Sequence, residues 1–286
     1  MHRTQTKSGL LLIAAAMTFG LSSCNKSNLT DNTEVLAAQN FSAADVEDDN
    51  VQIMADQAQS GGDISALRTG QPANNTAVDL ITGCAVVSRD TISSPRTITI
   101  DFGSGCTNAN GVIRKGKIIV TYSGRYREAG TVVHIVSENY YVNANKVDID
   151  RNVTNLGTND AGNLIFGIHA TRTLTFPDGS TSTSISDRIR EWTAGDDTPG
   201  DITDDVFSVT GSGTHTSRRG MPYAVSTVTP LIRKVACHEF VSGVVKITRT
   251  DNRNRSGSIN FGNGECDNEA SVTLDNGRTF SIDLRH

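Results

Sequence analysis

From Ile81 onward, apolar residues occupy every second position in many short segments. The clearest run covers 164–176, where Leu164, Phe166 and Ile168 alternate with polar residues such as His169. Successive side chains of a β-strand point to opposite faces, so strict alternation predicts strands with one buried and one solvated face. No window from 80 to 286 has helical periodicity. This part of the chain is therefore predicted to be all-β.

The same alternation recurs in further runs, at 117–123, 146–153, 272–274 and 280–284. Turn-forming sequences separate the runs where hairpins need them, at Asn110-Gly111, Pro177-Asp178-Gly179 and Asn276-Gly277. About a dozen strands with mostly short connections predict one antiparallel sheet. The pattern leaves three architectures open: a sandwich, an open barrel and a curled meander.

A short motif occurs twice in this β-rich part, once near each end. Its copies, at 99–108 and 258–268, share an Ile-Asp/Asn-Phe-Gly-x-Gly core followed by a cysteine and an Asn-containing turn. The glycines permit a tight bend, and the phenylalanines, Phe102 and Phe261, are expected to pack into the core. Each copy belongs to a larger cysteine-framed unit, at 84–123 or 237–284.

Four of the five cysteines lie in these two units. The duplication favours pairing Cys84 with Cys106 and Cys237 with Cys266, at separations of 22 and 29 residues. The fifth, Cys24, belongs to an N-terminal segment that has the features of an export signal. The remaining even number of cysteines is typical of a disulfide framework in an exported chain. The sequence therefore predicts two local disulfides.

The N-terminus has the features of an export signal. Arg3 and Lys7 precede an apolar run at 9–19, which is too short for a membrane span of about 20 residues. Leu21-Ser22-Ser23-Cys24 follows and resembles the lipobox of bacterial lipoproteins. The resemblance implies a signal peptide at 1–23, lipidation of Cys24 with fatty acids such as palmitate, and a membrane anchor in place of a membrane-spanning segment.

Residues 24–78 differ in composition from the β-domain expected at 79–286. Between 25 and 78, eight acidic residues face only Lys26 and Arg68, and the apolar residues are few and mostly alanine. Such a segment buries little apolar surface, so we expect a largely disordered acidic spacer. One helix is predicted within it, over 43–59, with Ser42 as its N-cap.

The total charge argues against a nucleic-acid partner. Loss of Arg3 and Lys7 with the signal leaves 24 basic against 31 acidic residues, a formal charge of −7, without a concentrated Lys/Arg footprint. No Cys-x-x-Cys pair is present, which argues against a zinc ribbon or haem attachment. We expect no cofactor.

Two groups of residues are candidates for a binding site. One could supply oxygen ligands to a cation, although aspartates in loops are usually only solvated; it comprises Asp196, Asp197, Asp201, Asp204 and Asp205. The other could form a ligand platform, although the only tryptophan of the chain could equally anchor the core; it comprises Arg188, Arg190 and Trp192.

Two stretches of the sequence partly resemble catalytic motifs, but neither has all the residues or the spacing that its motif requires. His238-Glu239 lacks the second histidine that a metalloprotease helix needs, because position 242 is serine. Ser212 and His215 lie among glycines, but their spacing does not match a nucleophile elbow. No catalytic residue is predicted.

Several short stretches, in this order, resemble an uncharacterised family of lipoproteins common in Bacteroidota. They are Tyr140-Tyr141-Val142, Val153-Thr154-Asn155-Leu156-Gly157, Arg190-Glu191-Trp192-Thr193-Ala194-Gly195, Thr229-Pro230-Leu231 and the closing Phe-Gly-x-Gly-x-Cys-Asp-Asn motif. The resemblance covers about 80–286 and the lipobox, and it implies one β-domain in the cell envelope, anchored most simply to the outer membrane. Asp90-Thr91-Ile92 also resembles the short O-glycosylation motif of that group.

These features predict a non-catalytic, membrane-anchored β-domain that binds or braces an envelope protein, glycan or lipid. One alternative is a carrier that holds a lipid or other apolar ligand inside a curled sheet, which requires an unfilled interior. Another is a hydrolase or lyase that uses the acidic loop at 196–205 or His215.

Overall fold

The computed structural model describes residues 26–59, 84–90, 92–108, 111–198, 201–237, 239–251 and 255–284. The lipobox, Thr91 and His238 lie outside these ranges. The described part contains one helix and fourteen strands. Their bounds are α1 Lys26–Gln59, β1 Val86–Asp90, β2 Arg96–Asp101, β3 Cys106–Thr107, β4 Ile113–Tyr122, β5 Val132–Val142, β6 Asn145–Thr158, β7 Leu164–Thr175, β8 Thr181–Ala194, β9 Val206–Thr216, β10 Pro222–Lys234, β11 Phe240–Arg249, β12 Ser256–Asn263, β13 Glu269–Leu274 and β14 Thr279–Asp283.

All fourteen strands belong to one antiparallel sheet, so the predicted all-β class is confirmed. The strands follow the chain order from β1 to β14, except that the short β3 pairs with β4 beside the main path. β1 and β14 are the two ends of this path. The architecture is therefore a meander, the third of the arrangements that the alternating pattern left open.

The hairpin turns lie where the sequence places them. Gly179 joins β7 to β8 at φ +81°, and Gly277 joins β13 to β14 at the same angle. A positive φ is favourable for glycine and costly for residues with a Cβ, which explains why these turns carry Asp-Gly and Asn-Gly.

The sheet curls around α1, as two ion pairs demonstrate. Glu47 pairs with Arg114 of β4, whereas Asp49 pairs with Arg233 of β10, six strand steps away in the sheet. On a flat sheet those strands would be roughly 29 Å apart. Glu47 and Asp49 are only about 3 Å apart along the helix axis and point to opposite sides of it. Both strands reach the same turn of the helix because the sheet surrounds it.

The segment that carries α1 differs from the expected spacer. The helix ends at Gln59, as predicted, but it begins at Lys26, well before the predicted start at 43, and every residue from 44 to 55 is buried. Ser42 is a buried residue inside the helix and does not cap it. The expectation treated the acidic residues as solvated, but in the structure arginines of the sheet pair with those at 34, 45, 47, 48, 49 and 56. The part of this segment beyond Gln59 lies outside the described residues as far as 83.

Two hydrophobic clusters line the helix. Towards its C-terminal end, Ile53 and Met54 pack with strand residues that include Phe166 of β7. Towards its N-terminal end, Phe41 packs with residues of β9 to β14, among them Phe261. Within the described residues, no helix combines the length and apolar character needed to cross a membrane. The helix instead belongs to the core of the β-domain.

Each copy of the cysteine motif places its cysteine beside an upstream cysteine. Cys84 lies at disulfide distance from Cys106, with a Cα–Cα separation of 5.4 Å, and Cys237 lies at disulfide distance from Cys266, at 5.5 Å. The phenylalanine that precedes each Gly-x-Gly, at 102 and 261, is buried as expected. Both motifs therefore tie strand ends to neighbouring chain.

Candidate functional site

Arginines on the inner face of the sheet meet the carboxylates of α1. We call this set the arginine–carboxylate network. Its ion pairs are Arg114–Glu47, Arg151–Asp48, Arg172–Asp45, Arg188–Asp45, Arg190–Asp56, Arg233–Asp49 and Arg249–Glu34. Each arginine shares its strand face with buried apolar residues. Arg151, for example, lies between Ile149 and Val153 on the buried face of β6.

The network gives an acidic helix a stable position inside the protein. Burial acts to raise the pKa of Asp45, but the guanidinium groups of Arg188 and Arg172 outweigh it and hold the pKa below the usual range. Loss of one partner from a buried ion pair leaves an uncompensated charge, which is strongly destabilising. The arginines of this network therefore have a structural role: they fix α1 inside the sheet.

A cavity of about 450 Å³ opens at the C-terminal end of α1. It lies where Asp56 of the helix meets Trp192 of β8, Phe207 of β9, the turn at 124–127 and the loop before β9. Its volume is within the range typical of small-molecule sites. This cavity, which we call the end pocket, is the candidate functional site.

A hydrogen bond between Trp192 and Asp205 forms one wall of the end pocket. The indole Nε1 of Trp192 donates to Asp205 Oδ1 at 3.1 Å, and both residues are buried. Gly195 makes this approach possible, because a Cβ at that position would lie 2.4 Å from Asp205 Oδ1. Gly195 also has a φ of +86°, which favours glycine. The turn after β8 is thus shaped around the Asp205 carboxyl group.

The Asp205 carboxyl group has an unusual titration. Burial raises its pKa to about 7, and the nearby charge of Asp56 adds to the effect. The hydrogen bond from Trp192 and the charge of Arg190 act in the opposite direction without cancelling it. A buried carboxyl group that ionises near neutral pH and faces a cavity is a feature common in binding and catalytic sites.

Aromatic rings also line the pocket, and two of them carry guanidinium groups on their faces. The Trp192 and Phe207 ring centroids are 5.4 Å apart. Arg127 Cζ lies 4.4 Å from the centroid of the Trp192 ring, and Arg190 Cζ lies 3.5 Å from that of Phe207. These contacts are cation–π interactions. The pocket walls therefore already accommodate cations.

The exposed part of the end-pocket lining, its mouth, is net basic, because Arg96, Arg125 and Arg127 outnumber Asp201 there. Arg96 and Arg125 both line the pocket and are exposed. Neither makes an ion pair with any residue in the described part of the chain. Arg127 is placed differently, because it donates to the backbone oxygen of Asp196 and covers Trp192. The mouth thus presents two guanidinium groups to a ligand.

The structure separates the residues of the predicted ligand platform. Trp192 lines the end pocket, and Arg190 lies behind the pocket wall, 2.9 Å from Asp56 and above Phe207. Arg188 instead joins the arginine–carboxylate network, 2.8 Å from Asp45. The tryptophan both anchors the core and lines a cavity, so the two interpretations of this residue are compatible.

The five aspartates of the predicted cation site are also divided. Asp201 and Asp205 line the end pocket, whereas Asp196, Asp197 and Asp204 are not among its lining residues. Asp201 accepts hydrogen bonds from Thr203, and Asp204 accepts them from Thr198. In the described part of the chain, no three His, Cys, Asp or Glu side chains are close enough together to hold a metal ion.

His215 lies away from the end pocket. It is buried, and its Nδ1 is 2.9 Å from Ser184 Oγ. Its ring lies 5.5 Å from the Phe41 ring in an edge-on contact. Ser212 is exposed on the opposite face of β9, so the serine and histidine that the sequence brings together do not meet.

Sequence reasoning missed most of the pocket. Asp56 belongs to a helix that was expected in a spacer, and Arg125, Tyr126 and Arg127 form a turn without a recognisable motif. The helix itself did leave a signal. Several arginines occupy the apolar positions of alternating strands, as Arg172 does between Ala170 and Leu174. Charged residues at such positions need buried partners, and the acidic segment could supply them.

We compared the chain with protein-family models, with curated proteins and with solved structures, and none of the three comparisons found a match.

Proposed function

We propose that this protein is an exported lipoprotein of the cell envelope, anchored through Cys24, whose β-domain binds a small ligand in the end pocket. The observation that carries the binding role is the pairing of Trp192 with Asp205 on the wall of a cavity of about 450 Å³. The lipobox-like Leu21-Ser22-Ser23-Cys24 and the basic, apolar leader support the anchor.

The position of α1 argues against a carrier of a long acyl chain. A lipid carrier needs an empty apolar interior, whereas the interior described here is occupied by α1 and by buried ion pairs. The end pocket has room for a compact ligand, and its walls combine aromatic rings with charged groups. We therefore favour a small polar ligand over a lipid.

Binding can be followed with the intrinsic fluorescence of Trp192, the only tryptophan of the chain. Four probes represent different ligand classes: L-leucyl-L-leucine, maltose, octanoate and inorganic phosphate. We expect at least one of them to change the Trp192 emission in a saturable manner. Asp205→Asn should weaken that response, and Asp197→Asn should leave it unchanged, because Asp197 is exposed and outside the pocket lining. No response to any probe would contradict the binding role.

The anchor requires a separate test. Cys24→Ser is expected to prevent labelling with palmitate and to move the protein from the membrane fraction to the soluble fraction of cells. The mass of the mature protein should also show a lipid on Cys24 in the unmodified sequence. A Cys24→Ser variant that stays in the outer-membrane fraction would contradict anchoring through this residue.

The pKa of Asp205 supports a second candidate, a hydrolase or lyase that uses this residue of the 196–205 loop. A carboxyl group that titrates near pH 7 can act as a general acid or base. This function predicts that a bound probe such as L-leucyl-L-leucine or maltose is converted on prolonged incubation, and that Asp205→Asn abolishes conversion. A ligand recovered unchanged after incubation would leave binding as the function.

A further inference from the structure

We infer that the end pocket selects a small dipolar ligand, with an ammonium group at Asp205 and a carboxylate or phosphate group at Arg96 and Arg125, and that short peptides belong to this class. The inference rests on the proposed binding function and names its ligand class. It is carried by two separate sets of charges on the pocket lining, an acidic wall and a basic mouth.

The acidic wall is suited to a cationic group. Asp205 is 5 % exposed and receives one hydrogen bond from Trp192 Nε1. The carboxylate that affects Asp205 most, Asp56, is already paired with Arg190 at 2.9 Å and also accepts a hydrogen bond from Gln52 at 2.7 Å. When it is ionised, Asp205 therefore carries a negative charge for which the wall offers no cation of its own at ion-pair distance in the described residues.

The surroundings of Asp205 also suit an ammonium group. Trp192 and Phe207 present aromatic faces beside it, and both rings already carry a guanidinium group at cation–π distance. Aromatic rings next to a carboxylate are a common way of binding ammonium ligands. Burial disfavours the ionised form of Asp205, and an ammonium group beside the carboxylate would stabilise that form.

The basic mouth is suited to the opposite end of the ligand. Arg96 begins β2 and Arg125 lies in the turn after β4, so two different parts of the chain place guanidinium groups at the same opening. Planar guanidinium groups bind carboxylate and phosphate groups with paired hydrogen bonds. A purely cationic ligand would leave this mouth unused, and a purely anionic ligand would meet Asp205.

A series of three peptides separates the two ends. L-leucyl-L-leucine carries both charges, its N-acetyl form lacks the ammonium group, and its C-terminal amide lacks the carboxylate. We expect the free dipeptide to change Trp192 emission with the highest affinity, at least tenfold above the N-acetyl form and several-fold above the amide. The N-acetyl form binding as tightly as the free dipeptide would overturn the inference.

Variants assign each end of the peptide to its residue. Asp205→Asn should weaken binding of the free dipeptide about tenfold and leave the N-acetyl form unaffected. Arg125→Gln should weaken the free dipeptide several-fold and leave the amide unaffected, and Arg96→Gln should do the same. Equal losses for all three peptides in any of these variants would contradict the assignment. The arginine variants are on the exposed mouth, so they decide the question even if Asp205→Asn fails to fold.

The two proposals fail in different ways. If maltose, octanoate or phosphate changes the emission of Trp192 and the dipeptide does not, the pocket binds a ligand but the dipolar class is wrong. If no probe has an effect, the proposed binding function itself is contradicted. Dependence on pH gives a further readout, since the charged groups around Asp205 are Asp56, Arg190 and Asp204. Affinity for the dipeptide should rise as Asp205 ionises, and this rise should be absent for the N-acetyl form.

Discussion

Arg233 Nε lies 2.7 Å from Asp49 Oδ2, although 184 residues separate the two positions in the chain. Both side chains are buried, and Arg233 also donates to Asn50 Oδ1 and to the backbone oxygen of Glu239, each at 2.8 Å. This pair joins the middle of α1 to β10. It represents the way in which the whole network holds an acidic helix inside a sheet.

Asp49→Asn should be strongly destabilising. The substitution keeps the shape of the side chain but leaves the Arg233 guanidinium buried without its counterion, which typically costs about 3–5 kcal/mol. The free energy of unfolding in urea measures the loss. Asp49→Asn combined with Arg233→Met should be less destabilising than the sum of the two single variants, because the unpaired charge is then absent. A change of less than about 0.5 kcal/mol in Asp49→Asn would contradict a buried pair.

An exposed ion pair provides the matched control. Arg218 also contacts Asp178, but both side chains are largely exposed. Solvent and salt screen such a pair, so Asp178→Asn should have a much smaller effect than Asp49→Asn. Equal losses from the two variants would show that burial is not the reason for the sensitivity of the helix pairs.

His215 should make stability depend on pH below neutrality. Burial lowers its pKa to about 4 from an ordinary value of 6.5, and the charge of Arg172 adds to this effect, with Asp45 acting in the opposite direction. The unfolded chain therefore binds a proton between pH 6.5 and 4 that the folded protein excludes, so stability falls as the pH decreases through this window. The contribution is roughly 3 kcal/mol in full. The free energy of unfolding should therefore fall by about this amount more in the wild type than in His215→Gln when the pH is lowered from 7 to 4. The same pH dependence in both proteins would contradict the prediction.

Asp205 should have the opposite dependence. Its pKa is raised to about 7 from 3.8, mainly by burial and then by Asp56. The folded protein therefore holds a proton that the unfolded chain releases, and stability decreases as the pH rises from about 4 to about 7. Trp192 donates to this carboxyl group, so its emission in the free protein should titrate with a midpoint near pH 7. The titration should disappear in Asp205→Asn; its persistence would assign it to another group.

The two cysteine pairs should both be oxidised in the exported protein. A thiol titration of the denatured mature domain should then detect none of the four cysteines at 84, 106, 237 and 266. Replacing Cys237 and Cys266 by serine should lower the free energy of unfolding by roughly 3–4 kcal/mol, as the entropy of a closed loop of this length predicts. Four titratable thiols would contradict the disulfides.

The sequence was sufficient to predict the sheet and a helix before it, but not that the sheet encloses the helix. Alternation is a local signal, so runs such as 164–176 identify strands directly, and Asp178-Gly179 identifies a turn. The burial of Asp45 depends instead on Arg172 and Arg188, which lie far away in the sequence. The local sequence of the acidic segment predicts solvated side chains, because the arginines that pair with them belong to strands far away in the sequence.

The candidate site was predictable only in part, for a similar reason. Trp192 and Asp205 were both singled out, but in separate groups and for different chemistry. The turn at Gly195 folds the chain back so that indole and carboxyl group meet. Arg96 and Arg125 come to the same opening because β2 pairs with β4, which places Arg96 opposite Tyr122 at the start of the β4–β5 turn. No motif in the sequence marks either arginine.

The central claim is that α1 is part of the core of the β-domain, and hydrogen exchange of its backbone amides tests this claim most directly. Amides that open only with global unfolding share its free energy, whereas amides of a solvated spacer exchange rapidly. We predict that amides from 44 to 55 are protected to the same degree as those of β7 and β8. Rapid exchange across 44–55, while β7 and β8 remain protected, would contradict the account.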